Sequence, residues 1–240
     1  PVKQLLAWEA KKVAAFEKAI FTDFNTHTVI SSQDRDKYIF PESRFIKIVP
    51  NGVDVNYFKP IAASPKPYDI AFIGNLGYYN NVEAAKYLVK EIMPLVWKSN
   101  PKYKVLLAGA RPSNEVLKLE NALVNVSGWV EDIRQSYASA KVFVAPILLA
   151  VGLQNKLLEA MAMGIPCVTT SAVNNAIGAE SGVSILLADS PEEFAVQIGR
   201  LTSGEALRNK IGNEGLSFVQ KNYSWESAVY ELNQFISAKI

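Results

Sequence analysis

One cysteine, one histidine and three methionines in 240 residues leave little material for redox or metal chemistry. Cys167 has no partner for an intrachain disulfide and falls in an apolar, strand-like run, where a thiol behaves as a small inert core residue. His27 stands without a neighbouring acid or serine, so it forms no catalytic set and reads as a surface or strand-end residue. One cysteine and one histidine also fall short of a usual ligand set, and no metal is expected. Charge is sparse and balanced: the formal net charge is +2 and the lysines are scattered, which excludes a nucleic-acid-binding stripe. The longest apolar run, 142–153, is broken by Pro146 and Gly152 and is too short to span a bilayer. No signal peptide precedes the first helical pattern, so a cytoplasmic location is expected.

What the chain has in quantity is apolar residues, 49% of the total, enough at this length to bury one substantial core and part of a second. Val2, Leu5, Leu6, Val13, Phe16 and Ile20 keep helical spacing among charged neighbours and predict an amphipathic helix that needs a partner. Strands are predicted over 28–31 and 44–49, with a helix starting at Ser32-Gln33-Asp34. The segment 61–67, with two prolines and no periodicity, reads as a linker. Beyond it, strands predicted at 69–74, 103–109, 124–128, 141–146, 167–170 and 184–187 alternate with helices. The helices are one ending near 99 and others over about 113–121, 131–140, 153–163, 191–202, 205–221 and 225–238. Such alternation argues for an α/β fold with a doubly wound parallel sheet, whose ligands bind at the carboxyl ends of the strands. The turns at Gly74, Gly109, Gly128 and Gly152 all fall at or near such ends.

The stretch 152–170, GLQNKLLEAMAMGIPCVTT, organises the rest. Its helix is apolar on nearly every side and therefore belongs inside the protein. Gly164 and Pro166 end it, and Cys167-Val168-Thr169-Thr170 follows as a buried strand. Lys156 lies in the first turn, where unpaired N–H groups and the helix dipole favour negative charge, so a lysine is electrostatically misplaced there. An anion held between Lys156 and the helix N-terminus, approached closely over Gly152, would remove the conflict. Glu159, one turn on, needs hydrogen-bond donors to offset its burial, and ribose hydroxyls would supply them. A plain (i, i+3) ion pair between Lys156 and Glu159 is the competing explanation.

The run Leu158-Glu159-Ala160-Met161-Ala162-Met163-Gly164-Ile165-Pro166 resembles the signature of glycosyltransferase family 4, retaining nucleotide-sugar transferases with two Rossmann-like domains. Gly152-Leu153-Gln154-Asn155-Lys156 is similar to the variant found in exopolysaccharide sugar transferases, and the resemblance runs from about Asn51 to Trp225. Asn51-Gly52-Val53-Asp54 and Ser31-Ser32 match marks at the close of the family's N-terminal domain. The resemblance implies a remnant of an acceptor-side domain over 1–60, the linker 61–67, a donor-binding domain over 68–223, and a last helix over 224–240 crossing back to the N-terminal part.

It further implies a nucleoside-diphosphate-sugar donor, no cofactor, and a glycan or lipid-linked acceptor, the latter placing the protein at the inner membrane surface. Donor-binding residues would be Gly74, Asn75, Leu76, Arg111, Trp129, Val130, Gly152, Leu153, Gln154, Asn155, Lys156 and Glu159, with Lys156 and Glu159 acting in catalysis. Trp129-Val130 matches a position where main-chain groups meet the base; its indole reads equally well as strand-end packing. Where the family carries an arginine and a lysine after the first strand, this chain has Asn75 and Asn80-Asn81, and the slot of the first acid is Val151. These departures keep two other expectations open, a nucleotide-sugar epimerase of the same architecture and a non-catalytic nucleotide-binding module. With most of an N-terminal domain missing, the chain alone is expected not to transfer sugar, and leftover apolar surface is expected to drive self-association.

Overall fold

The computed structural model describes residues 2–38, 40–61, 65–149 and 152–238. The chain opens with a long helix, α1 (Val2–Asp23), then a short parallel pair, β1 (Thr28–Val29) and β2 (Lys47–Ile48), with α2 (Ser32–Arg35) between them. No residue of α1 is buried, and Leu5, Trp8 and Phe16 of its apolar stripe stand in solvent. Of the strand predicted over 44–49 only Lys47–Ile48 pairs; Arg44 and Phe45 end a 3-10 turn, Pro41–Phe45, whose first position suits the fixed φ of Pro41.

From residue 68 the chain builds a six-stranded parallel sheet. Its strands are β3 (Tyr68–Ile73), β4 (Val105–Ala108), β5 (Val124–Gly128), β6 (Ala140–Ala145), β7 (Cys167–Thr169) and β8 (Leu186–Leu187), in the spatial order β5-β4-β3-β6-β7-β8. The run Ile70-Ala71-Phe72-Ile73 is buried at every residue, as strands covered on both faces require. The chain winds outward from β3 in one direction to β5, then returns to β6 and winds in the other. The order therefore reverses between β3 and β6, and the carboxyl ends there form the crevice in which such sheets bind ligands.

Between β3 and β4 the helical run contains α3 (Tyr79–Tyr87), a π turn (Leu88–Ile92) and α4 (Met93–Ser99). Pro94 lacks an N–H and its ring excludes the carbonyl four residues back, so the helix widens just before it. The helix predicted over 113–121 shortens to α5 (Asn114–Leu117), since Asn121 turns its side chain onto the N–H groups of Leu123 and Val124. Next come α6 (Ile133–Ala138) and α7 (Asn155–Ala162). Thr170 is a helix cap and not part of the strand predicted there: its hydroxyl accepts from Val173 N–H and starts α8 (Ser171–Ile177). That helix was not expected, because Asn174 and Asn175 interrupt its apolar spacing; the buried Asn174 side chain is tied to the main chain of Ala179.

Three helices complete the chain, α9 (Pro191–Ser203), α10 (Glu205–Asn222) and α11 (Trp225–Ser237). α9 lies over β6, β7 and β8, and α10 packs on α7 and β7. α11 touches the N-terminal part, through a Lys47–Glu231 ion pair and through Phe235, which shares a cavity with Phe21, Phe24 and Phe45. Its only buried residue is Ala228. The chain passes between the two parts where Val53 N–H donates to Tyr223 O at 2.6 Å. Among the described residues no helix is long and apolar enough to cross a membrane.

Candidate functional site

A cavity of about 350 Å³ lies at the carboxyl ends of β3, β4 and β5, within the range of small-molecule sites. It is lined by Ile73, Gly74, Asn75, Gly109, Ala110, Trp129, Val130, Ile133, Tyr137, Lys156 and Glu159. Its floor is made by two loops in backbone contact. Gly74 N–H donates to Ala108 O and Gly109 N–H to Gly128 O, and a Cβ on Gly109 would overlap the carbonyl oxygen of Gly74. Gly109 also holds φ at +133°, a conformation closed to residues with side chains.

One wall is the start of α7. α5, α6, α8, α9 and α11 are each capped by a Ser, Thr or Asp side chain; α3, α4, α7 and α10 have no side-chain cap, and of these α7, with Gln154 at its N-cap, puts Lys156 and Glu159 on the cavity wall. Leu157 N–H donates to Gln154 O at 2.9 Å, and among the described residues no acceptor meets the N–H groups of Asn155 and Lys156, which are left for another acceptor. Lys156 stands in that turn with its ammonium on Gln154 Oε1 at 2.7 Å, and the ion pairs of the described residues include none between Lys156 and Glu159. The simple ion-pair explanation is therefore not what the geometry shows. Burial pulls the Lys156 ammonium down to about 8, against the raising effect of Glu159.

Glu159 is held by a residue the sequence did not point to. Tyr137, wholly buried in α6, donates its hydroxyl to Glu159 Oε2 at 2.7 Å and lies 3.1 Å from Lys156 O. Burial raises the Glu159 carboxyl, opposed by the Tyr137 hydrogen bond and the Lys156 charge. Burial also raises the Tyr137 phenol well above its ordinary value, so it stays a donor. A tyrosine within an otherwise ordinary helix carries no spacing signal for a partner on α7.

Of the residues expected from sequence, Gly74, Asn75, Trp129, Val130, Lys156 and Glu159 meet around this cavity. Leu76 and Leu153 are core residues behind it. Gln154 and Asn155 form the start of α7, and Gly152 turns toward Ile30 and Asp34. Arg111 does not line the cavity: it is exposed on the loop after β4, with φ at +54°. Trp129 is not packed at its strand end; it is 73% exposed at the cavity mouth. Asn81 is buried, donating to Asn75 O at 2.9 Å. Val151 lies outside the described residues.

Trp129 follows β5, and the Lys156 side chain lies against Gly74 at the end of β3, two strand spacings away, or about 10 Å at ~4.8 Å each. An aromatic face at one end and a cation over free N–H groups at the other suit an elongated ligand with a flat ring and a polyanionic group. If Tyr137 aims Glu159 at a hydroxyl of that ligand, Tyr137→Phe is expected to weaken binding of a ribonucleoside diphosphate about five- to tenfold. It should also narrow the preference for ribo over 2′-deoxy ligand. Calorimetry with both forms checks this; an unchanged ribo-to-deoxy ratio contradicts it.

A family profile, Glycosyl transferases group 1, matches residues 67–203. The chain is 25% identical over 228 residues to an uncharacterized 44.6 kDa protein in the cps region of Klebsiella pneumoniae, covering 89% of this chain and 58% of that one. It is 27% identical over 169 residues to the putative glycosyltransferase EpsF of Bacillus subtilis, covering 63% of this chain and 44% of that one. The chain thus spans about half the length of the curated relatives it matches. In fold it resembles Anabaena Alr3699/HepE in complex with UDP and glucose, at TM-score 0.73 and 15% identity over 88% of this chain and 62% of that one. It likewise resembles TarM, at TM-score 0.75 and 16% identity over 91% of this chain and 45% of that one.

Proposed function

The chain belongs to the group 1 glycosyl transferases, and on that basis we propose that its cavity binds the nucleoside diphosphate of a sugar donor. The observation that carries this is the start of α7 without a side-chain cap, with the partly buried Lys156 ammonium facing the cavity and, among the described residues, in no ion pair with a carboxylate. The diphosphate lies against Lys156 and the first N–H groups of α7, Glu159 takes ribose hydroxyls, and the base lies toward Trp129 and Val130. As the bond to the sugar breaks, negative charge grows on the leaving phosphate, and the fixed cation and helix dipole stabilise it without reorganising. The transferase moves the sugar, with retention, to a hydroxyl of a glycan or lipid-linked acceptor in cell-surface polysaccharide synthesis. The relatives, one in a cps region and one a putative glycosyltransferase, support the glycosyl transfer itself. Residues 1–60 belong to the acceptor side.

A thermal-shift panel of nucleoside diphosphates and their sugar conjugates tests the donor part. A ligand at a hundred times its Kd adds about 2.7 kcal/mol of stability by mass action, and at least one diphosphate is expected to raise the melting temperature clearly. A chain that no diphosphate stabilises would contradict the donor site.

A further inference from the structure

The N-terminal part reaches the start of α7 at a specific point. Gly152 has φ at +63°, and the atoms nearest to where its Cβ would stand are Ile30 Cδ1 at 3.6 Å and Asp34 Oδ2 at 3.7 Å. The short helix carrying Asp34, α2, is fixed there by Gln33, whose Nε2 donates to Ala172 O in the first turn of α8 at 3.0 Å. Because α8 follows β7, α2 stands one strand beyond β6, on the side of the α7 N-terminus away from Trp129.

Asp34 occupies the position where a capping-box carboxylate would accept from the N–H of the N-cap residue. It does something else. Ser31 Oγ accepts from Asp34 N–H at 3.1 Å and donates to Asp34 Oδ2 at 2.7 Å, while Lys37 Nζ holds Oδ1 at 2.9 Å. No hydrogen bond among the described residues runs from Ser31 N–H to the carboxylate, which instead sits beside Gly152. The side chain is 22% exposed. Burial works against its charge, and the hydrogen bonds from Lys37 and Ser31 outweigh that, keeping the carboxyl below its usual range. Each oxygen retains a free lone pair, so the group can accept further donors.

We propose that Asp34 contacts the donor sugar, accepting a hydroxyl hydrogen bond from the glycosyl group as it lies beside Gly152. This rests on the donor assignment above. With the base toward Trp129 and the diphosphate on α7, the group beyond the second phosphate extends toward β7, where Gly152 and α2 stand. A glycosyl group taken from water needs acceptors for its hydroxyls, and Leu148, Leu149 and Gly152 on that loop offer no polar side chain. The carboxylate that reaches this point comes from Asp34, and it would make the N-terminal part a reader of the sugar.

Calorimetry with UDP, UDP-glucose, UDP-galactose, UDP-N-acetylglucosamine, GDP and GDP-mannose identifies the wild type's preferred conjugate and its gain over the parent diphosphate. Asp34→Asn, which keeps shape and the Ser31 contact, is expected to leave diphosphate affinity unchanged and to cut that gain about tenfold, the usual effect of removing a charged hydrogen bond. An unchanged gain, or an equal loss for conjugate and diphosphate, would overturn the proposal. So would a wild type that binds every conjugate no better than its diphosphate, although the donor site would then stand. A wild type that binds no diphosphate overturns the donor site itself. Melting curves of the unliganded proteins identify a folding defect, and Asp34→Ser repeats the test if the amide variant does not fold.

Discussion

Lys156→Ala is expected to weaken nucleoside diphosphate binding by about 1.5–3 kcal/mol, roughly 10- to 150-fold, the range for a charge-assisted hydrogen bond. The ammonium now rests on Gln154 Oε1, a neutral acceptor that a phosphate oxygen can replace. The same side chain gives binding a pH dependence with a definite sign. Free Lys156 titrates near 8, because burial disfavours its charged form. A bound dianion favours that form and raises the value, so binding takes up a proton above about pH 8. Affinity is therefore expected to be full near pH 7 and to fall by about tenfold by pH 9. The alanine variant should show a flat profile over that window. Calorimetry at pH 7, 8 and 9 for both proteins checks this, and parallel profiles would remove Lys156 from the site.

Gly109→Ala is expected to cost about 3 kcal/mol of folding stability, with strain at φ +133° adding to overlap with the Gly74 carbonyl oxygen. The loops after β3 and β4 have no side chains between them to yield, so relief requires moving the cavity floor, and diphosphate binding should weaken too. Gly178→Ala is the control. Gly178 also has a left-handed φ, +72°, but nothing lies within 4 Å of its would-be Cβ, so only the strain applies, about 1 kcal/mol. Denaturant unfolding of the two variants isolates the overlap. Equal losses would mean that the loops do not pack backbone to backbone.

The sheet was legible because most of its strands are short apolar runs, three strands closing at glycine, and the central strands, buried on both faces, need no finer pattern. Lys156 and Glu159 were legible because both lie on one helix, where a charged residue in an apolar run conflicts visibly with its surroundings. Tyr137 was not, since its hydroxyl meets Glu159 across 22 residues of chain and nothing in local spacing marks a buried tyrosine as a donor. Asp34 and Gly152 are farther apart still, and their meeting depends on how α2 sits against α8. Arg111 looked like a phosphate cation by its position after a strand; its left-handed backbone turns it off the cavity wall. Trp129 read equally well as a neighbour of the base and as strand-end packing; the edge position of β5 leaves its indole uncovered.

The central assignment is that the start of α7 receives the donor diphosphate. A crystal structure of this chain with UDP tests it most directly. The diphosphate is expected within hydrogen-bond distance of Lys156 Nζ and the first N–H groups of α7, with Glu159 on the ribose. A diphosphate bound elsewhere, with Lys156 still on Gln154, would contradict it.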